Sequence, residues 1–568
     1  MYKPLPIGVE SFKELITQGY YYVDKTLFIK ELIDKRGKVN LFTRPRRFGK
    51  TLNLSMLRYF FEKQESQAEK EINKSLFQDL AIAKCGSKYL SHMGNYCVIH
   101  LSLKSAKQPD FERAFLMLKR QIADEFRRHR YLLEKGNWQE DDRHRYIIMM
   151  NETADDSQYL DAIAFLSRIL NELLDQKVII LIDEYDVPLE NAYFSGFYEE
   201  MSSFIRSLFE SALKTNPHLE FAVITGCLRI TNDFRGSHLE SIFTGLNNLN
   251  IISILNESYG EYFGFLQEEV KAMLQFYNRE NCTDIVKQWY DGYFFGNSEV
   301  YNPWSMVNYM DRLVSNENAI PSPFWANTSS NSIVKSLVEH ADISVKGELE
   351  SLIEGHSIEK PVHEDITYAD IFNSEDNLWN FLFFTGYLKQ IGRRLEGDIQ
   401  YMELAIPNLE VRYIYKNTIL SWFDEMLNGK DLSSLYNAIE TGNTHTMEEI
   451  ISEYLQETIS FYDYAENYYH GFLAGLLKNM RKYRVISNRE SGTGRPDIIL
   501  KTPSVRGRAI VFELKAADRY TNLERFCDKA LEQIKNNHYQ ASLEEEGYSM
   551  IDSYGISFYR KECMVKRI

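Results

Sequence analysis

The chain has 568 residues, of which 44% are hydrophobic and 14% aromatic. It is therefore too long for one core and has the composition of a folded protein of several domains, not of a disordered one. Its six cysteines are scattered and form no CxxC pair, which argues against a disulfide framework and a cysteine zinc site. The net charge of −16 argues against a protein whose whole surface binds nucleic acid.

The charge is distributed unevenly along the chain. Phe461–Ile568 contains 18 Lys and Arg and 14 Asp and Glu, whereas the other 460 residues contain 47 and 67. The tail is therefore the part that can tolerate a polyanion. The start of the chain, MYKPLPIGVESF, has no apolar signal region, and no apolar run is long enough for a membrane span. We expect a cytoplasmic protein with no membrane partner.

The first half alternates short apolar segments with helical stretches, a pattern typical of a parallel α/β sheet. The predicted strands are Val39–Thr43, Cys97–Leu103, Val178–Ile182, Phe221–Thr225 and Leu249–Leu255. Several of these are apolar throughout, as strands covered on both faces should be. Residues 266–445 are predicted to be mostly helical, with aromatic-rich turns such as WYDGYFFG and YNPWS. The last hundred residues change to a helix, a run of strands and another helix.

The first candidate site follows the first strand. There VNLFT leads into RPRRFGKT and then into a helix from Leu52 to about Phe61. A strand, a loop ending in Gly-Lys-Thr and a helix form a layout that binds phosphates through backbone amides and a lysine, with the threonine hydroxyl on Mg²⁺. Gly49, Lys50 and Thr51 match this pattern. A basic surface turn is the alternative interpretation.

The first glycine of the GxxxxGK[ST] pattern is missing, because Arg44 stands in its place. Arg44, Arg46 and Arg47 could supply positive charge there, but they cannot reproduce the backbone freedom of glycine. Arg47 is retained as a candidate nucleotide-binding residue.

Two later strands end in polar residues that fit the same site. The strand KVIILIDEYD ends in Asp183 and Glu184, where the first acid can hold Mg²⁺ and the second can orient a hydrolytic water. The strand FAVITGCLRI ends in Thr225, which can sense a γ-phosphate, and Arg229 follows it. Solvated acids at a strand end and an arginine facing solvent are the alternatives. Three such signals in this order point to a nucleoside triphosphate site for ATP and Mg²⁺.

The second candidate site lies in the tail, where YRVISN, RPDIIL and RAIVFELK predict three neighbouring strands. Glu513 and Lys515 are two residues apart, so they point to one face, and Asp497 begins the preceding strand. Two carboxylates and a lysine on adjacent strands suit a Mg²⁺ site for phosphodiester hydrolysis, in which the acids hold the metal and the lysine positions the nucleophile. An exposed acid and an ordinary ion pair are the alternative.

A helix from about Ala465 to Met480 precedes these strands, and Glu466 extends its apolar stripe. A carboxylate at the edge of a core needs a partner, and a metal is one such partner. The alternative is an acid in the first turn that complements the helix dipole.

At these residues the chain resembles a bacterial family, the AAA-ATPase-like proteins that carry a C-terminal PD-(D/E)XK nuclease-superfamily domain. The matching stretches run along nearly the whole chain and include LPIGVESF, YYVDKT, RPRRFGKT, IDEYDVPL, TGCLRI, SIFTGLNNL, WYDGYFFG, YNPWS, FLFFTGYL, AIPNLEVR, YYHGFLAGLL, SNRESGTGRPDI and FELK. The segment TNDFRGSHLESIF is longer than the family pattern. The resemblance implies an AAA-like P-loop NTPase domain over residues 1–265, a helical middle or lid region over 266–445 and a PD-(D/E)XK nuclease-like domain over 446–568.

The resemblance also bears on function. It implies ATP binding, and hydrolysis with Glu184, in the first domain, and Mg²⁺-dependent cleavage by Asp497, Glu513 and Lys515 in the last. Nucleic acid is the expected partner, with DNA favoured over RNA, in defence against mobile elements or phage or in their maintenance. A nucleotide-responsive switch with a non-cleaving binding tail is the second hypothesis, and a nuclease with a purely structural front domain is the third. Because AAA-like proteins often form rings, a homo-oligomer is a further hypothesis.

Overall fold

The computed structural model divides the chain into two compact units. The first contains Met1–Thr328 and Glu359–Arg412, and the second contains Ser329–Ile358 and Tyr413–Ile568. The residues that the structure describes are 2–230, 242–243, 246–325, 343–364, 368, 371, 374–428, 431–457, 466–478, 480–487 and 496–568. The three-part division at residues 265 and 445 stays a prediction.

A five-stranded, all-parallel sheet organises the first unit. Its strands are β1 (Val39–Thr43), β2 (Cys97–Ser102), β3 (Val178–Asp183), β4 (Leu219–Gly226) and β5 (Leu249–Ile252), in the order β2-β3-β4-β1-β5. Every residue of β1 and β3 is buried, as expected for strands covered on both faces. The predicted parallel α/β fold is confirmed. The fifth strand is shorter than predicted because Ser253 turns the chain, its N–H donating to Asn256 Oδ1 at 2.7 Å.

Helices surround this sheet and continue into the middle of the chain. Up to residue 325 the helices of the described residues are α1 (Phe12–Thr17), α2 (Leu27–Lys35), α3 (Lys50–Phe61), α4 (Gln67–Ser75), α5 (Ser87–Leu90), α6 (Phe111–Arg128), α7 (Glu140–Met150), α8 (Asp156–Tyr159), α9 (Ala162–Leu174), α10 (Val187–Ser195), α11 (Tyr198–Leu213), α12 (Gln267–Phe276), α13 (Thr283–Tyr290) and α14 (Pro303–Ser315). The buried stripe of α3 includes Met56, Leu57, Phe60 and Phe61, as its helical spacing predicts.

Two small sheets lie among the helices of the middle region. One contains β6 (Phe265–Leu266), β7 (Tyr293–Phe295) and β8 (Ser298–Tyr301), and the other contains β9 (Ile358–Pro361), β10 (Lys389–Glu396) and β11 (Ile399–Ala405). The prediction of a helical region with aromatic turns is therefore incomplete, because part of WYDGYFFG is strand β7. Tyr293 and Phe295 of β7 are buried and Phe294 is exposed, which is strand periodicity in a run too short to stand out.

The second unit contains a mixed five-stranded sheet with helices on both faces. Its strands are β12 (Arg484–Ser487), β13 (Ile498–Lys501), β14 (Arg508–Ala516), β15 (Met550–Tyr559) and β16 (Glu562–Arg567), in that spatial order. Only the pair β14–β15 is parallel. The other helices of the described residues are α15 (Ile343–Glu354), α16 (Glu375–Phe384), which belongs to the first unit, α17 (Leu409–Asn428), which begins in the first unit, α18 (Ser433–Thr441), α19 (Thr444–Glu457), α20 (Glu466–Leu477), α21 (Leu523–Asn536) and α22 (Tyr539–Glu545).

The two faces of this second sheet have separate cores. Ile510, Phe512 and Leu514 pack with α18, α19 and α20 in one apolar cluster. Ala509 and Val511 pack with α21 and α22 in another. The predicted alternation along β14 is therefore confirmed, and it places Glu513 and Lys515 on the α21 side of the sheet. No helix in the described part of the chain is long and apolar enough to cross a membrane.

A buried carboxyl group joins three segments of the first unit. Glu410 is 0% exposed; its oxygens accept hydrogen bonds from Ser305 Oγ at 2.8 and 2.9 Å and from the Trp325 N–H at 2.9 Å. Burial raises the pKa of Glu410 from 4.5 to about 7, although these hydrogen bonds oppose the shift. The folded protein therefore holds a proton that the unfolded chain has already released near neutral pH.

This raised pKa predicts a pH-dependent stability. As the pH rises from about 4.5 to about 7, the unfolded chain ionises at Glu410 before the folded protein does, so the free energy of unfolding falls. A shift of this size corresponds to about 3 kcal/mol. The Gln side chain cannot ionise. Between pH 5 and pH 8 the melting temperature of Glu410→Gln should therefore fall much less than that of the wild type. Glu268→Gln, at an exposed position of α12, is the control. An unchanged pH profile in Glu410→Gln contradicts the prediction.

Candidate functional site

The candidate phosphate loop of the first unit lies between β1 and α3. Gly49 precedes α3 with φ of 82°, a left-handed conformation that favours glycine. The Lys50 side chain folds back into the loop, where Nζ donates to the carbonyl oxygens of Arg44 at 2.7 Å and Pro45 at 2.9 Å. Lys50 is buried, and its ammonium group is held by neutral carbonyls at the N-terminus of a helix, where phosphate oxygens bind favourably.

Arg44, which replaces the first glycine, points away from the loop. Its guanidinium Nη1 donates to the carbonyl oxygens of Thr43 at 2.9 Å and Ile252 at 2.8 Å. The rings of Phe263 and Phe295 each lie 5.1 Å from the guanidinium carbon. Burial lowers the pKa of Arg44 to about 9. The expectation that Arg44 supplies charge to a phosphate is therefore not met, because its charge lies among aromatic rings that compensate it in part.

The other two arginines of the loop have different neighbours. Arg46 forms an ion pair with Glu190 of α10. Arg47 has a positive φ of 70°, and its guanidinium carbon lies 4.3 Å from the ring centre of Trp304. Arg47 therefore stays at the mouth of the loop as a candidate nucleotide-binding residue.

The ends of β3 and β4 meet the start of α3 at one carboxylate. Asp183, which is 1% exposed, accepts a hydrogen bond at Oδ2 from Thr51 Oγ1 at 2.7 Å and another at Oδ1 from Thr225 Oγ1 at 2.5 Å. The structure thus brings together three of the predicted site residues. A carboxylate and a hydroxyl are hard oxygen donors, the type that Mg²⁺ prefers, so these residues fit that ion.

Glu184 follows Asp183 in a left-handed backbone conformation with φ of 52°. Burial raises its pKa, and the Asp183 charge adds to the shift, while Lys50 and Lys104 oppose it. A raised pKa makes the carboxylate a stronger base, which suits a group that accepts a proton from water. Arg229 lies three residues beyond β4 and is half-buried, and its predicted contact with a phosphate stays a prediction. The following insertion falls mostly outside the described residues.

A pocket opens beside this loop. It has about 1040 Å³ of empty space, part of it open to solvent, and Lys50 and Thr51 lie in its wall. Apolar and aromatic residues from the N-terminal segment, the region around Tyr262 and the start of α14 line the rest, including Trp304. The sequence analysis did not predict that the N-terminal segment and the start of α14 line this pocket. LPIGVESF and YNPWS, which contain some of these residues, are among the stretches that resemble the family.

The sequence analysis also did not predict a role for Asp186. Its Oδ2 accepts hydrogen bonds from the backbone N–H of Cys227 at 2.6 Å and of Leu228 at 3.3 Å. It therefore fixes the backbone just beyond β4, next to Thr225. Asp186 is the last residue of the stretch IDEYD, and this third acid after the strand was visible in the sequence.

The candidate site of the second unit lies where β13 begins and β14 runs beside it. Glu513 is 1% exposed, and its Oε1 lies 3.4 Å from Lys515 Nζ. The carboxylate of Asp497 accepts a hydrogen bond at Oδ2 from the Leu514 N–H at 2.8 Å. Because Ile498 pairs with Phe512, Asp497 and Glu513 lie opposite each other, as the predicted strands require.

Two further residues of α20 concern this site. His470 is buried, and its Nε2 lies 2.9 Å from the Asp497 carbonyl oxygen and 3.3 Å from Ser487 Oγ. Sequence reasoning missed His470, which stands in the stretch YYHGFLAGLL. Glu466 begins α20, but its side chain lies outside the described residues, so its proposed metal contact stays a prediction.

Residues 6–234 match the family model described as "Predicted AAA-ATPase", and residues 464–568 match that of the PD-(D/E)XK nuclease superfamily. The chain carries an AAA-ATPase-like domain and a PD-(D/E)XK nuclease-superfamily domain. It is also similar to a protein of Azotobacter chroococcum mcd 1, described as "Uncharacterized protein in vnfD 5'region", with 25% identity over 428 residues. That alignment covers 74% of this chain and 70% of the relative. These matches support a nucleotide-binding front part and a nuclease-like tail.

The PD-(D/E)XK domain has the oxygen donors that a divalent metal needs. Asp497 and Glu513 face each other across two strands, and burial raises the pKa of Asp497, opposed by the Leu514 N–H and by the charges of Lys515 and His470. Two acids converging in this way favour a cation between them. Among the described residues no group of three or more His, Cys, Asp or Glu side chains is arranged to hold a metal ion, so these two acids would bind the metal together with ligands from water or substrate.

Because burial raises the pKa of Asp497, we expect the effect of Asp497→Asn on the melting temperature to depend on whether a metal is present. In metal-free buffer at pH 8, Asp497→Asn should melt no lower than the wild type, because it removes a partly buried charge and keeps an oxygen for the Leu514 N–H. With Mn²⁺ the wild type should gain melting temperature, and the variant should not. Thermal melting with and without Mn²⁺ measures this, with exposed Glu532→Gln as control. Equal metal stabilisation in both proteins would count against the site.

Proposed function

We propose that this protein binds ATP and Mg²⁺ in its AAA-ATPase-like domain, hydrolyses the ATP, and carries a Mg²⁺-dependent nuclease in its tail. The observation that supports the first part best is the Asp183 carboxylate, which contacts both Thr51 and Thr225. Lys50 lies on the same helix turn as Thr51. We expect Lys50 to bind phosphate and Thr51 and Asp183 to bind the metal, and the hydrogen bond between Thr51 and Asp183 supports this arrangement.

The residues of the first domain would have separate roles. Lys50 and the amides at the start of α3 bind the β- and γ-phosphates, while Thr51 and Asp183 hold Mg²⁺, which neutralises phosphate charge. Glu184 orients the attacking water and accepts its proton, a role that its raised pKa supports. Thr225 and Arg229 would sense the γ-phosphate. The pocket beside Trp304 and Arg47 would take the base and sugar.

In the second domain Asp497 and Glu513 would hold Mg²⁺, with Glu466 as a third candidate ligand. The bound metal would supply charge neutralisation at the scissile phosphate and activate the attacking water. Lys515, whose Nζ lies 3.4 Å from Glu513 Oε1, would position that water. The substrate we propose is nucleic acid, with DNA favoured over RNA, and the setting is cytoplasmic defence against mobile elements or phage. A homo-oligomer remains part of this hypothesis.

The second candidate function is a nucleotide-responsive switch whose tail binds nucleic acid or protein without cleaving it. The close pair of Lys515 and Glu513 favours it, because such a pair also serves as a structural ion pair. The net charge of −16 points in the same direction. A nuclease with a purely structural front domain is less well supported, because Lys50, Thr51 and Asp183 are in place.

The ATP site is tested by Lys50→Ala. Losing charge-assisted bonds to phosphate costs roughly 1.5–3 kcal/mol, so ATP affinity in Mg²⁺ should fall by at least about tenfold. Isothermal titration calorimetry measures this, with Lys70→Ala on exposed α4 as the control and thermal melting as a check of folding. Wild-type affinity in a folded Lys50→Ala protein would overturn the ATP site.

The nuclease site is tested by Lys515→Ala. If Lys515 is catalytic, the variant should keep its melting temperature and its Mn²⁺ binding but lose cleavage of single- and double-stranded DNA or RNA. Lys501→Ala on neighbouring β13 is a matched control, because Lys501 forms an ion pair with Glu546 at 2.6 Å. That control should lose some stability and keep cleavage.

Two results would contradict this assignment. Cleavage that survives in Lys515→Ala removes the nuclease site as proposed. A wild-type protein that binds nucleic acid and cleaves none of these substrates in Mg²⁺ or Mn²⁺, with or without ATP, favours the switch.

A further inference from the structure

A buried histidine of the nuclease-superfamily domain touches the backbone of a proposed metal-binding residue. His470 on α20 is 7% exposed, and its Nε2 lies 2.9 Å from the carbonyl oxygen of Asp497. A carbonyl oxygen only accepts hydrogen bonds, so this contact requires a proton on Nε2. With Nε2 engaged in this way, the same nitrogen does not serve as a metal ligand.

His470 also reaches the neighbouring strand. The Ser487 hydroxyl, at the end of β12, lies 3.3 Å from the same Nε2, and Ser487 pairs with Ile498 in the antiparallel ladder. One side chain of α20 thus contacts the last residue of β12 and the residue just before β13. Its position holds these two chain ends against the helix.

The carboxylate of Asp497 depends on this backbone position. Its Oδ2 accepts the Leu514 N–H at 2.8 Å, so Asp497 is fixed at its carbonyl by α20 and at its side chain by β14. These two contacts set the direction in which the rest of the carboxylate faces. A shift of the Asp497 backbone would change its distance to Glu513, and two acids that share a metal tolerate little such change.

Packing alone does not account for a histidine here. Tyr469, Phe472 and Leu473 of α20 already lie in the apolar cluster on that side of the sheet. A polar ring in such a place costs free energy unless it is hydrogen-bonded. The contacts of the His470 ring are to the Asp497 carbonyl oxygen and to Ser487 Oγ. We therefore propose that His470 is a positioning residue, which holds Asp497 in the orientation that binds a divalent metal. This inference rests on the proposed metal site at Asp497 and Glu513.

Two amide variants of the full-length protein test the proposal. The Gln side chain can bring an N–H donor about as far as His Nε2, whereas Asn is one methylene shorter and does not reach the Asp497 carbonyl. His470→Gln should bind Mn²⁺ within about threefold of the wild type. His470→Asn should bind about tenfold more weakly or worse, as expected when the partner of a metal-ligating residue is lost. Mn²⁺ binding is followed by electron paramagnetic resonance titration.

The control measurements separate positioning from folding. Melting temperatures in metal-free buffer should be similar for the two amide variants, because both lose the ring and both carry a polar amide. Equal Mn²⁺ affinities for wild type, Gln and Asn variants would overturn the role of His470 and leave the metal site intact. Metal binding in the wild type that Asp497→Asn does not weaken, or no binding at all, would overturn the metal site and this inference with it.

Discussion

The proposed nucleotide site of the first unit depends on the hydrogen bonds that Asp183 accepts from two hydroxyl groups. They exist because β3, β4 and β1 are parallel neighbours in that order, so their carboxyl ends meet at one edge of the sheet. Thr225 then lies at the end of β4 beside Asp183, and Thr51 is the second residue of the helix that follows β1. The buried, apolar strands therefore do more than form a core, since their order assembles the site.

The unusual phosphate loop is explained by what surrounds it. A glycine in the first position gives the backbone freedom to turn, whereas Arg44 is held by its backbone N–H, which donates to Gly226 O at 3.0 Å, and by its buried guanidinium. This side chain ties the start of the loop to the end of β5 and to Phe263 and Phe295. The loop thus gains rigidity from a long-range anchor, and the ammonium of Lys50 is left as the cation inside it.

Much of this architecture was predictable, and the failures have physical causes. The β3 and β4 segments are recognisable because they contain uninterrupted apolar runs, and β1 because only Asn40 interrupts its apolar residues before Thr43. Glu513 and Lys515 are recognisable because they stand two residues apart and alternate with Phe512 and Leu514. Small strands such as β7 were missed, because three aromatic residues do not establish a period. The burial of Arg44 could not be foreseen, since its partners Ile252 and Phe295 are more than two hundred residues away in the chain. His470 was missed because its stretch reads as a core stripe, in which a polar member has no local signature.

The two lysines of the proposed sites differ in what holds them, and this decides how each can act. Lys50 Nζ is bound by the carbonyls of Arg44 and Pro45, which are neutral, so a phosphate that takes over one of these bonds adds an attractive charge and breaks no ion pair. Lys515 faces the carboxylate of Glu513, and a metal arriving there competes with the ammonium for the same oxygens. The ammonium must then give way or stay beside a divalent cation, which weakens metal binding. A lysine at this position lowers the affinity for the metal, whereas a neutral residue would leave both carboxylates to the metal. A role for Lys515 in the reaction therefore explains its presence better than a contribution to stability.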